Sequence, residues 1–80
     1  MKTKGMMRSI NAKKNKVNRI MKNIQKDMDA IFKIENPTKE QMKEAVLLFG
    51  AMARYKKIYN ELDSIYGSLL MLNTYNVEDL

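Results

Sequence analysis

Apolar residues recur at spacings of three and four along most of the chain, the signature of amphipathic α-helix rather than strand. In the first half Val17, Ile20, Met21, Ile24, Met28 and Ile31 share one face. In the second half the pattern runs from Met42 and Ala45 through Met52, Tyr55, Tyr59, Leu62, Tyr66 and Leu69 to about Leu72. No segment alternates with a period of two, and no paired turn signal marks a β-hairpin. The pattern predicts an all-α chain with two helices.

Local chemistry places their ends. The residue before a proline avoids helical geometry, so a first helix opening near Ser9 or Asn11 is expected to stop before Pro37, spanning 11–35. After the proline, Thr38-Lys39-Glu40-Gln41 is a T-x-x-Q capping box with an acid in the first turn, which the helix dipole favours. It opens a second helix expected over 38–72. Residues 1–10 are expected to form a flexible basic arm and 73–80 a frayed tail, all within one domain. A turn this short makes the helices antiparallel neighbours, a two-helix hairpin.

The second helix is apolar on more sides than one neighbour can cover. From Ala45 to Ala53 it carries no charged or strongly polar side chain. A helix that is hydrophobic all round is normally buried all round. The small residues Ala45, Gly50, Ala51 and Ala53 suit close approach by another helix. A homodimer follows as the expectation, two hairpins forming a four-helix bundle, with Ala45, Leu48, Phe49, Met52 and Tyr59 at the interface. Eighty residues without cysteine or histidine lack a disulfide or zinc staple, which leaves self-association to widen a thin folding margin.

Charge adds a direction to this rod. Residues 1–26 hold nine bases and no acid, whereas residues 27–80 hold six bases and nine acids. Natural solvated helix faces mix both signs, because like charges one turn apart repel. Lys13, Lys14 and Lys16 also fall in the first turns of the first helix, where the dipole disfavours cations, and Lys13 projects onto the apolar stripe. A polyanion relieves both problems. Arg8, Lys13, Lys14, Asn15, Lys16, Arg19, Lys22 and Lys26 are therefore the candidate nucleic-acid contacts, with RNA favoured over DNA. An acidic protein surface is the competing partner; on that alternative the chain is an interaction module, such as a phage-type inhibitor or antitoxin docking on a host protein or protein–RNA complex.

The run Asn11-Ala12-Lys13-Lys14-Asn15-Lys16 resembles the start of the phage antitermination N peptides. That family binds RNA hairpins through a basic helix, favouring arginine where this run has lysine. The expected dimeric hairpin is similar in architecture to small plasmid RNA-binding proteins of the Rop type. Both resemblances imply RNA.

Other chemistry finds little foothold. The three glycines are isolated, so there is no phosphate-cradling loop, and without histidine a Ser-His-Asp triad cannot form. Glu40 and Glu44 sit one turn apart beside Lys39 and Lys43, which reads as a solvated face. Tyr55, Tyr59 and Tyr66 read as the edge of a core rather than as a base-stacking platform. The chain is expected to be a non-catalytic regulatory or accessory factor without metal or cofactor. No apolar run is long enough for a membrane span and no apolar region follows the first bases as in a signal peptide, so a cytoplasmic location is expected.

Overall fold

The computed structural model describes residues 3–74. Two helices, α1 (Thr3–Phe32) and α2 (Lys39–Thr74), fold back on each other as an antiparallel hairpin. Their 30 and 36 residues make a rod 63 Å long and 14 by 13 Å across.

The capping box opens α2 as its chemistry requires. Gln41 N–H donates to Thr38 Oγ1 at 3.1 Å, and Thr38 N–H donates back to Gln41 Oε1 at 2.8 Å. Each side chain satisfies an amide that the helix cannot. At the other side of the turn, α1 ends at Phe32, three residues before the expected boundary, and Lys33 N–H closes the last turn on Asp29 O at 3.1 Å.

The start of α1 departs further from expectation. It lies at Thr3 rather than Asn11, so residues 3–10 are helical instead of forming an arm. Met1 and Lys2 of that arm, and residues 75–80 of the expected tail, lie outside the described residues. The reason is a stripe that continues unbroken. Thr3, Met7, Ile10, Lys14, Val17, Met21, Ile24, Met28 and Ile31 alternate spacings of four and three, and all are buried or half-buried. On α2 the matching set is Gln41, Ala45, Leu48, Met52, Tyr55, Tyr59, Leu62, Tyr66, Leu69 and Asn73. This is a heptad seam along the described length of the hairpin, the pattern by which two helices pack on each other.

Lys14 fixes the register. Its ammonium meets Asp63 at 2.7 Å and lies 5.4 and 5.0 Å from the ring centres of Tyr59 and Tyr66. The ammonium between Tyr59 and Tyr66 sets Lys14 across from Leu62 of the seam, and heptad counting from there sets Ile31 across from Ala45, Ile24 across from Met52 and Ile10 across from Tyr66. The seam is thin: Val17, Ile24, Met28, Ile31, Ala45 and Leu69 are the buried hydrophobic residues among those described.

The seam separates two substitutions that sequence alone treats alike. Met52→Asp places an unpaired carboxylate opposite Ile24 and is expected to cost several kcal/mol, enough to abolish most helix signal in circular dichroism. Phe49→Asp is expected to leave the helix signal of the hairpin intact, because Phe49 points away from α1 into solvent. Equal loss of helix in both variants would contradict the register.

Candidate nucleic-acid interface

With the heptad seam facing α2, the opposite columns of α1 face solvent. Arg8, Asn15, Lys16, Arg19, Lys22 and Lys26 all fall on these outward columns and are exposed. Lys33, just past the end of α1, extends the line. From Arg8 to Lys33 the ridge is about 38 Å long at ~1.5 Å per residue. Lys22, Lys26 and Lys33 share one shallow groove with Gln25, Asp29 and Ala30. Asp29 is the acid that interrupts the ridge, and its carboxylate already accepts a hydrogen bond from Gln25 Nε2 at 2.9 Å.

Two of the sequence-predicted contacts stand elsewhere. Lys13 is exposed on the flank of the hairpin, not on the buried stripe where its projection put it. Lys14 occupies that stripe instead. Its side chain is 14% exposed, against 63% for Asp63, and its three polar neighbours all belong to α2. The hydrogen bond to Asp63 raises the lysine above its usual 10.5, against the opposing effect of desolvation. Lys14 is thus held within the hairpin and turned away from the ridge.

The remaining cations have no such internal partner. Among the described residues, Lys14–Asp63 is the one ion pair, so no carboxylate of those residues pairs with Arg8, Lys13, Lys16, Arg19, Lys22 or Lys26. The structure does provide one compensation that sequence reasoning missed. Lys4 and Arg8 line a groove at the open end of the hairpin together with Tyr66 and Asn73 of α2. The C-terminal carbonyls of α2 carry partial negative charge, and the antiparallel fold brings that end beside the cations of the first turns of α1. Helix α1 has no acid in its first turn, yet it has a neighbouring dipole end in place of one.

The five residues expected at an oligomer interface also divide. Ala45 is buried, and Leu48, Met52 and Tyr59 are half-buried, all four on the seam facing α1. Phe49 alone faces outward. No described helix is long and apolar enough to cross a membrane. Among the described residues, no group of three or more Asp or Glu side chains gathers as a metal site would require.

No protein-family model matches the chain, and neither a curated protein nor a solved structure does.

Proposed function

We propose that this protein binds nucleic acid, RNA in preference to DNA, through the outward face of α1, as a small non-catalytic regulatory or accessory factor acting as a homodimer. The observation that carries the reading is a ridge of six exposed bases from Arg8 to Lys33 that no described carboxylate pairs with, interrupted only by an acid already engaged by Gln25. Such a ridge meets phosphates as point charges and carries little base-reading chemistry. Recognition on this reading is of backbone and shape. The preference for RNA rests on the long antiparallel arms, which offer no short recognition helix to seat in a DNA major groove.

Counterion release supplies the test. Each phosphate contact contributes a log–log salt slope of about −0.7 for single strands, so five contacts give about −3.5. Titrating the nuclease-treated protein against mixed single-stranded RNA and duplex DNA, from about 50 to about 200 mM salt, is expected to show that slope and tighter binding to RNA. A flat response removes nucleic acid as the partner. That outcome favours the alternative, a module docking on a host protein, for which the exposed Val46, Leu47 and Phe49 supply the apolar surface.

A further inference from the structure

Between Met42 and Ala53, α2 is apolar on sides that α1 cannot reach. Met42 is 53% exposed, Val46 70%, Leu47 74% and Phe49 67%. Met42, Val46, Phe49 and Ala53 follow one another at spacings of four, three and four, a second stripe beside the seam stripe. A helix with one neighbour needs one such stripe, and a helix with two stripes has surface for two neighbours. Heptad counting sets Phe32, at the end of α1 and also largely exposed, on the same side of the hairpin as Met42 and Phe49.

The size of this face suits a dimer. At about 150–250 Å² for an aromatic side chain, Phe32 and Phe49 leave roughly 200–300 Å² open. Met42, Val46 and Leu47 bring the total to roughly 500 Å² or more, at the upper end of the patches that monomers display. A stable interface buries ~800 Å² per partner, so this face would supply the apolar core of one and a polar rim of roughly 300 Å² the rest.

Charge selects the occupant. Around the turn, residues 27–47 hold five acids and three bases. The rest of the described chain holds the eight bases of α1 with Arg54, Lys56 and Lys57, against only Glu61 and Asp63. An anionic membrane or an acidic protein is drawn to that basic end, away from the apolar face. A second copy has the opposite fit. If two α2 helices meet face to face and antiparallel, the two strongly basic ends point in opposite directions. Lys56 and Lys57 of each copy then approach the acid-rich turn of the other.

We propose that Met42, Val46, Leu47 and Phe49, with Phe32, form a two-fold interface between two copies of this chain, α2 against α2, leaving both α1 ridges outward. Gly50 fits the same arrangement. A Cβ there meets nothing within 4 Å in the hairpin, so the fold does not need this glycine, whereas a close helix crossing does. The proposal rests on the homodimer of the preceding reading but not on its nucleic-acid ligand.

The chain has no cysteine, so single-cysteine variants report contacts without background. The full chain, freed of nucleic acid, is expected to sediment as a dimer, and Val46→Glu to halve its mass while the helix signal persists. Under mild oxidation Val46→Cys is expected to cross-link, and Ser64→Cys, on the outward face nearer the open end, to stay monomeric on a denaturing gel. A monomer from the unmodified chain overturns both the face and the homodimer. A dimer that survives Val46→Glu, or that cross-links through Ser64→Cys and not Val46→Cys, overturns the face and keeps the homodimer. If Val46→Glu unfolds, the two cysteine variants still decide.

Discussion

Changing Arg19, Lys22 and Lys26 together to Glu is expected to weaken RNA binding on the order of a hundredfold at about 0.1 M salt and to flatten the salt slope by about two units. The size follows from counterion release. Each phosphate contact adds about 0.7 to the slope for single strands, so relative to about 1 M salt each is worth a factor of about five at 0.1 M. Three contacts multiply to roughly one hundred. The three positions fall on columns opposite the seam and are exposed, so their reversal leaves the packing between α1 and α2 untouched. Helix content and melting temperature are expected to stay near those of the unmodified chain, which separates lost contact from lost fold. Lys56→Glu with Lys57→Glu, on the other helix, changes net charge by four units against the six of the ridge set and, at a protein concentration where sedimentation still shows the dimer, is expected to have a much smaller effect. Fluorescence anisotropy with a labelled single-stranded RNA across a salt series reads all of this. Equal losses from the two sets of reversals would reduce the ridge to a general effect of net charge.

What the sequence discloses about this hairpin depends on how local the determining interaction is. The opening of α2 is a contact between residues three apart, so Thr38 and Gln41 announce it directly. The stripe from Val17 to Ile31 is equally plain, because nothing polar breaks it. Its continuation through Ile10 and Met7 to Thr3 is hidden by Lys14, a cation where the pattern asks for an apolar residue. Projection at the straight-helix period makes matters worse. A heptad seam drifts about 20° per seven residues from that projection, so two heptads from Met28 to Lys14 shift the stripe by about 40° and point to Lys13 instead. The division of the apolar residues of α2 is not local at all. Ala45 and Phe49 look alike in sequence, and only the register with α1 turns one inward and the other outward.

Replacing Lys14 with Met is expected to raise the melting temperature by several degrees while changing RNA affinity by less than about twofold, the signature of a residue that serves the hairpin and not the ligand. Lys14 shares its seam column with Met7, Met21 and Met28, so methionine extends a surface that the fold already packs. Removing a buried cation is costly when it strands a buried anion, but Asp63 is largely exposed and water can solvate it. The opposite change, Asp63→Asn, keeps the cation between Tyr59 and Tyr66 without its carboxylate and is expected to lower the melting temperature. The same link has a pH signature. Because the folded hairpin raises the lysine above its usual 10.5, its contribution is complete below that value and is lost as pH climbs through the raised one. The unmodified chain should therefore lose stability relative to Lys14→Met's own curve above about pH 10.5. A polar residue on a heptad seam also restricts register and partner number, at some cost in stability. In Lys14→Met that restriction disappears: the seam becomes apolar from Met7 to Ile31, and sedimentation is expected to show species larger than those of the unmodified chain. A melting temperature that falls, together with a tenfold or greater loss of RNA affinity, would return Lys14 to the ridge.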